Sequence, residues 1–309
     1  MKSYRKLFLM GATAFCLVMN SCEDEKNDAG SDEGKKKVDK ELLDPNRSFN
    51  TTFDGKLFSV PSPVQTALLI KSLNIPFNET LLNPKSNIGN YSDMNDKALN
   101  LGVYGADLGY VTLYDQNAKA IDYLGTVESL ANDLGISGAF DKTFLERFEA
   151  NSNNEDSMLV ILTDAFRKGD NFLKENDRKN ISALILTGGW LESMFFAGKL
   201  YKESNEKKIL MRLGQQKQSL ETLIELLEKY NEGGTNDKVL NHLKSLNDSF
   251  QKIKVTYEYV EPKTVSEEKL TIIKSKMNVE MPDELANEII QKISEIRNSV
   301  IDPTKKLKA

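Results

Sequence analysis

Histidine and cysteine are nearly absent from this chain of 309 residues, and their scarcity excludes several kinds of site. His242 is the only histidine, and Cys16 and Cys22 are the only cysteines. Their number excludes a zinc site built from histidine and cysteine ligands. A serine triad would have to use His242, and no Gly-x-Ser-x-Gly motif is present to expose a nucleophilic serine. His242 lies between Leu240 and Leu243 in a predicted helix, so we expect a surface or boundary residue rather than a general base.

Motifs that bind phosphates, cofactors and calcium are missing as well. The sequence has no Gly-x-x-x-x-Gly-Lys-Ser/Thr loop, no dinucleotide fingerprint after a predicted strand and no acidic calcium-binding loop. We therefore expect no cofactor and no bound metal ion. Carboxylate chemistry stays open, because glycoside hydrolysis needs only two correctly placed acids.

A surplus of positive charge is also missing. The chain has 41 basic and 46 acidic residues, which gives a net charge of −5. Residues 1–21 contain three basic residues and no acidic one, so their removal would leave a net charge of −8. Proteins that bind nucleic acids carry a basic surplus. A nucleic-acid partner is therefore not expected, and neither is electrostatic attachment to an anionic membrane.

The first 21 residues have the pattern of a secretory signal peptide. Three basic residues precede the apolar run Leu7–Val18, which is too short to span a bilayer as a resident helix. Cys22 follows directly after this segment. We expect Cys22 to become the lipidated first residue of the mature chain, which then has no free thiol and no disulfide. The alternative is an ordinary cleaved signal with a chance cysteine at its end.

The residues around Cys22 resemble a known class of protein. The usual lipobox prefers leucine and a small residue at the places held here by Met19 and Asn20, whereas Ser21 fits the pattern. The acidic residues directly after the cysteine are Glu23, Asp24 and Glu25. This looser box resembles that of Bacteroidota outer-membrane lipoproteins, in which such an acidic run resembles a surface-export tag. The resemblance implies a lipid anchor in the outer membrane and a body that faces the cell surface, and it implies no activity.

Composition divides the chain into four segments. Residues 1–21 are the signal peptide, and residues 22–57 form a charged tether with too few large apolar residues to fold. Residues 58–253 form an α-helical body. Residues 254–309 add a small β-hairpin and a final helix that pack on the body. The expected fold is mainly α, either an irregular multi-helix bundle or an array of helical hairpins.

The clearest helical periodicity lies in two neighbouring segments. The apolar positions of residues 209–227 fall on one helical face, and those of residues 239–253 fall on another. A short link that contains Gly233 and Gly234 joins the two segments. We therefore expect an antiparallel helical hairpin here.

The C-terminal region has a different periodicity. Alternating β-branched and aromatic residues predict strands in residues 254–262 and 270–281, with residues 263–269 as a polar connector. The alternative is that the preceding helix continues past Ile253. Pro282 then opens a final amphipathic helix.

Two acids, Asp107 and Glu192, lie in helices that are otherwise nearly apolar. A carboxylate that faces a core costs several kcal/mol unless it is paired or hydrogen-bonded. We therefore expect a partner for each acid, either a tyrosine hydroxyl or one of Arg167, Arg178 and Arg212. The functional interpretation is an acid with a raised pKa in a pocket. The interpretation that we favour is a buried polar tie between helices, or an exposed position on an imperfect apolar stripe.

Glycines inside the same two helices predict a close approach between helices. They are Gly102, Gly105, Gly109, Gly188 and Gly189. We expect these two helices to pack centrally and against each other. A pocket, if the fold has one, is expected here with Tyr104 and Trp190 among its residues. Aromatic residues at helical spacing are nevertheless more often part of a core.

Two functions from different classes remain. The first is a non-enzymatic binding or accessory protein that a lipid anchor attaches to the membrane. Its ligand, either a protein or a glycan, is left open. The second is a carboxylate-dependent hydrolase of glycans or peptidoglycan. It requires two acids about 5 to 10 Å apart in an open cleft. The missing histidines and motifs favour the first function.

Overall fold

Helices form most of the chain in the structure, a computed structural model that describes residues 49–60, 63–265, 270–272 and 275–304. The predicted signal peptide, Cys22 and the acidic residues 23–25 lie outside these ranges. The α-helices within them are α1 (Pro63–Ser72), α2 (Met94–Leu113), α3 (Asn117–Asp133), α4 (Lys142–Ala150), α5 (Glu155–Glu175), α6 (Lys179–Ser204), α7 (Lys207–Gly214), α8 (Lys217–Lys229), α9 (Asp237–Gln251) and α10 (Asp283–Ile301). The mainly α fold predicted from the sequence is confirmed.

Helices α2 and α6 cross at the centre of the fold with their backbones almost in contact. A Cβ atom on Gly102 would lie 2.0 Å from the Ile185 carbonyl oxygen, and one on Gly188 would lie 1.8 Å from the Leu99 carbonyl oxygen. Only glycine fits at these two positions. Residues 98–113 of α2 are all buried, because other helices cover α2 on every side. The predicted central packing of these two helices is confirmed.

Helix α6 is long and apolar enough to cross a membrane by length and composition alone. However, 89% of its most apolar stretch is buried inside the protein. A helix that is covered on all sides in a large core is apolar all round. The composition of α6 therefore agrees with its central position in the fold.

Residues 209–227 form parts of two helices rather than one. Helix α7 ends at Gly214, and α8 begins at Lys217. A Cβ atom on Gly214 would lie 2.3 Å from Val279 Cγ1, so the break lets the end of α7 approach the C-terminal strands. The predicted helical hairpin consists of α8 and α9. Its antiparallel direction follows from two contacts, Gln251 with Glu221 and Lys244 with Glu228.

The predicted C-terminal β-hairpin is confirmed. Strand β3 (Lys254–Tyr259) pairs antiparallel with β6 (Ser275–Glu280), and Val255 lies opposite Val279. Two shorter strands, β4 (Lys263–Val265) and β5 (Leu270–Ile272), pair beyond it, so part of the predicted connector is also strand. Helix α9 ends before Ile253, which contradicts the alternative of a longer helix. The final helix α10 follows Pro282 as predicted.

A second β-hairpin lies where the sequence predicts the end of the tether and the start of the helical body. Strands β1 (Phe49–Phe53) and β2 (Lys56–Val60) pair antiparallel around Asp54 and Gly55, which both have positive φ. Asp-Gly between alternating residues is a strong signal for such a turn, and the charged composition of residues 22–57 obscures it. The predicted boundary at residue 57 is therefore wrong.

Contacts at the turn hold this hairpin to the helical body. Phe53 is buried, and the Lys174 ammonium lies 4.0 Å from the centre of its ring. The Asp54 carboxylate forms ion pairs with Lys179 of α6 and Lys229 of α8, and it accepts a hydrogen bond from the Tyr230 hydroxyl. These partners hold the pKa of Asp54 well below its ordinary value.

Candidate functional site

The two acids identified in the sequence, Asp107 on α2 and Glu192 on α6, meet where these helices cross. Neither side chain has any exposed surface, and the two carboxyl groups lie close enough for the charge of Glu192 to raise the pKa of Asp107. Both helices are covered by other helices along this region, so neither acid can turn toward water. The charges of this site must therefore be balanced inside the core.

Arg297 of α10 provides the balancing positive charge. Its Nε donates to Glu192 Oε2 at 2.9 Å and its Nη2 donates to Glu192 Oε1 at 2.7 Å, which is the bidentate geometry of a strong ion pair. Nη2 also donates to the Leu81 carbonyl oxygen at 2.9 Å. The guanidinium carbon lies 4.3 Å from the centre of the Phe195 ring. Burial works to lower the pKa of Arg297, but Glu192 outweighs it and raises that pKa above its ordinary value.

Asp107 is the member of the acid pair that holds a proton more tightly than an ordinary aspartate does. Burial raises its pKa well above the ordinary value, the charge of Glu192 adds to this, and Arg297 opposes it with a smaller effect. Its Oδ2 accepts a hydrogen bond from the Asn83 backbone N–H at 3.2 Å. Its Oδ1 accepts no hydrogen bond from the described residues. A protonated Asp107 carboxyl group can instead donate a hydrogen bond to Glu192, which gives this oxygen a partner. The site then holds one negative charge on Glu192 and one positive charge on Arg297.

Asn83 connects the acid pair to its surroundings. Its Nδ2 donates to the Tyr91 hydroxyl at 3.0 Å, and that hydroxyl donates to the Ile301 carbonyl oxygen at 3.3 Å. The Tyr123 hydroxyl donates to the Asn83 carbonyl oxygen at 2.9 Å. Burial raises the pKa of both phenols, so both keep their protons. The network joins α2, α3 and α10 and is closed to solvent, as expected of a structural tie.

The structure gives Tyr104 and Trp190 different neighbours. The Tyr104 hydroxyl donates to the Pro84 carbonyl oxygen at 2.9 Å, and its ring lies 6.1 Å from that of Tyr123, beside the acid pair. Trp190 instead donates from Nε1 to Gln216 at 3.3 Å, and its ring lies 6.5 Å from that of Phe250 on α9. The two aromatic residues predicted for one pocket therefore belong to two parts of the core.

Arg297 was not among the predicted partners of the acids. Arg167 instead pairs with Asp164 at 2.6 Å, and Arg178 donates to the Leu134 carbonyl oxygen at 2.6 Å. The third predicted partner, Arg212, lies on α7, and Glu192 binds none of the three. A signal for Arg297 is present in the sequence, because it follows Ile293 by four residues and lies on the apolar side of α10.

An open cleft lies where the N-terminal ends of α2 and α9 meet the C-terminal end of α10. Its volume is about 370 Å³. The apolar side chains that line it are Leu99, Leu184, Val239, Ile296, Val300 and Pro303. Asn95 joins the two N-terminal ends, because its Nδ2 donates to the side-chain oxygen of Asn236 at 2.9 Å and to the Thr235 carbonyl oxygen at 3.3 Å.

Ionisable side chains line the rim of this cleft, with Asp93 and Asp96 at the α2 side and Lys238 and His242 at the α9 side. Burial raises the pKa of Asp96, Asp93 adds to this and Lys238 opposes it. Burial and then Lys238 lower the pKa of His242, which is therefore uncharged at neutral pH. His242 is only partly buried, in agreement with the predicted boundary position. Among the described residues, no cluster of acidic, histidine or cysteine side chains could hold a metal ion.

Comparisons with protein-family models, with curated proteins and with solved structures find no match for this chain.

Proposed function

We propose that this chain is a lipid-anchored, non-enzymatic binding protein of the bacterial outer membrane, with its helical body facing the cell surface. The observation that carries the non-enzymatic part is the closure of the acid pair. Asp107 and Glu192 have no exposed surface, and Arg297 occupies both carboxylate oxygens of Glu192. A glycan hydrolase must bring both acids to its substrate. The open cleft between α2, α9 and α10 provides a place for a ligand.

The anchor part of the proposal rests on the sequence around Cys22. The apolar run Leu7–Val18, the cysteine and the acidic residues 23–25 have the order expected of an exported lipoprotein. Lipid attachment also explains how a protein with an acidic net charge is held at a membrane, because electrostatic attraction to anionic lipids would not hold it.

Lipid attachment is tested by expressing the full chain in a Bacteroidota host that is fed an alkyne-labelled fatty acid. The wild-type protein should take up the label and sediment with membranes. Cys22→Ser should lose both properties, and the matched variant Cys16→Ser should keep both. Equal labelling of the two variants would contradict lipid attachment at Cys22.

Surface display is tested by adding protease to intact cells of the same strain. Loss of the protein, with a periplasmic marker preserved, supports display at the surface. Full protection of the protein contradicts display, and the lipid-attachment result then still stands.

Enzyme activity is tested with purified protein and with peptidoglycan or glycan substrates. Release of new reducing ends by the wild-type protein, and its loss in Asp107→Asn, would contradict the non-enzymatic proposal. Asp107→Asn is suited to this test because asparagine resembles the protonated form of aspartic acid, which the raised pKa of Asp107 favours.

A further inference from the structure

We propose that the cleft between α2, α9 and α10 binds a small zwitterion of the α-amino-acid type that carries an apolar side chain. The inference rests on the binding role proposed above and deepens it by naming a class of ligand. The size of the cleft, its apolar floor and the opposite charges of its two walls carry the argument.

The size and floor of the cleft suit an apolar group of a few carbon atoms. Its volume of about 370 Å³ lies within the range of small-molecule sites. Leu99, Leu184 and Val239 in the floor are at most 8% exposed, so the core holds them in place. An apolar group of a ligand that enters the cleft loses its own contact with water, which favours binding.

The two walls carry opposite charges, and Lys238 lowers the pKa of Asp96 without outweighing burial and Asp93, which raise it. Asp96 lies on the α2 side and Lys238 on the α9 side, and no ion pair or hydrogen bond joins them in the part of the chain that the structure describes. A simple amine would pair with Asp96 alone, and a simple carboxylate would pair with Lys238 alone. A zwitterion pairs with both walls at once.

Backbone groups at the start of α9 fix the orientation of the ligand. The first N–H group of α9 that makes a backbone hydrogen bond is that of Leu240, which donates to the Asn236 carbonyl oxygen at 2.9 Å. The N–H groups of Lys238 and Val239 precede it, and both residues line the cleft. Such first-turn groups favour a negative charge. The ligand carboxylate therefore lies at α9, and its ammonium group faces the partly buried carboxylate of Asp96.

The lining also argues against a glycan as the ligand. Sugar rings are commonly bound against aromatic rings, and the described lining of this cleft contains no phenylalanine, tyrosine or tryptophan. The exposed tyrosines Tyr257 and Tyr259 lie on β3, outside the cleft lining.

The first experiment uses the full chain, isolated from membranes in detergent, and isothermal titration calorimetry with L-leucine as the probe. Three analogues each remove one feature: 3-methylbutylamine lacks the carboxylate, 4-methylpentanoate lacks the ammonium group, and glycine lacks the apolar side chain. L-leucine should bind more tightly than each analogue by about tenfold or more, the usual effect of one lost charged or apolar contact. Equal affinities for leucine and an analogue, or no saturable binding of L-leucine, would overturn the proposal.

The second experiment asks whether each wall recognises its own group. Asp96→Asn should weaken L-leucine about tenfold and leave 4-methylpentanoate unchanged, and Lys238→Gln should weaken L-leucine and leave 3-methylbutylamine unchanged. Asp156→Asn and Lys208→Gln are matched controls, because they change an acid and a lysine in the first turns of α5 and α7, away from the cleft. Equal effects of cleft variants and controls would overturn the assignment.

If a cleft variant fails to fold, the analogue series on the wild-type protein still decides the question. The outcome is also separable from the anchor proposal, because labelling at Cys22 does not depend on the cleft. A labelled protein that binds no leucine overturns this inference alone.

Discussion

The acid pair in the core and the cleft at the surface use similar side chains for opposite purposes. Burial raises the pKa of Asp107, which favours its uncharged form, and Glu192 is paired with Arg297. Asp96 and Lys238 both line an open cleft, and no ion pair joins them within the described residues. The comparison teaches that residue type alone does not distinguish the two kinds of carboxylate. A carboxylate whose partners all lie within the protein is structural, whereas one without an ion pair is available to a ligand.

The largest effect is expected where the core loses its cation. Arg297→Met removes the partner of Glu192 and leaves a charge buried without compensation, which should lower the free energy of unfolding by about 3–5 kcal/mol. Arg167→Met, which breaks the exposed pair with Asp164, should cost less than about 1 kcal/mol. Urea unfolding followed by the fluorescence of Trp190, the only tryptophan, measures both. Similar losses in the two variants would refute the role of Arg297.

The helix crossing that closes the core site can be disturbed without changing any charge. Gly188→Ala places a methyl group against the Leu99 carbonyl oxygen, so α2 and α6 must separate at a cost of about 3 kcal/mol. Gly125→Ala on α3 is the matched control. A Cβ atom there meets nothing within 4 Å, so alanine should stabilise the helix by up to about 1 kcal/mol. Unfolding curves that rank the two variants the other way would contradict the crossing geometry.

Asp107→Asn should be tolerated wherever Asp107 is protonated, because asparagine matches the uncharged carboxyl group in shape and charge. The raised pKa means that the folded protein holds a proton that the unfolded chain releases. The stability of the wild-type protein should therefore fall as the pH rises above the ordinary aspartate pKa, until the folded group also ionises. The Asp107→Asn variant lacks this pH dependence, so its stability relative to the wild-type protein should increase as the pH rises through the range that begins at the ordinary aspartate pKa. Urea unfolding across this pH range measures the free energy of unfolding of both proteins. A variant that becomes less stable than the wild-type protein as the pH rises would show that Asp107 is ionised.

The smallest effect is expected at the cleft. Asp96→Asn removes a partly buried first-turn carboxylate without leaving a buried partner unpaired, so the free energy of unfolding should change by no more than about 0.5 kcal/mol. Thermal unfolding measures this change. A loss as large as that of Arg297→Met would place Asp96 among the structural carboxylates and remove the contrast between the two sites.

The sequence predicts those parts of the fold that depend on local patterns. Helix periodicity and the glycines at 102 and 188 predict the central helices, and alternation predicts the C-terminal hairpin. The hairpin around Asp54 and Gly55 was missed because a local turn signal competes there with the composition of a longer charged segment. At this position the two-residue turn signal, rather than the composition of the longer segment, agrees with the structure.

The candidate sites are predictable to different degrees. The burial of Asp107 follows from its apolar helix, whereas its environment requires Arg297, which lies 105 residues beyond Glu192 in the chain. The cleft combines residues from four helices, including Leu184 and Lys238, and nothing in the local sequence of any one helix marks it. Sites of this kind depend on how the helices pack, which a single sequence does not specify.

The hairpin of β1 and β2 has a mechanical consequence if lipid at Cys22 holds the protein. Within the described residues, the ladder is open at the end where Phe49 lies opposite Val60, and a pull from the N-terminal side would reach it there. The strands would then separate one pair at a time toward the turn, where Asp54 is fastened to Lys179 and Lys229. A pull applied at Phe49 would therefore be carried first by the ladder and then by the contacts of Asp54 with α6 and α8.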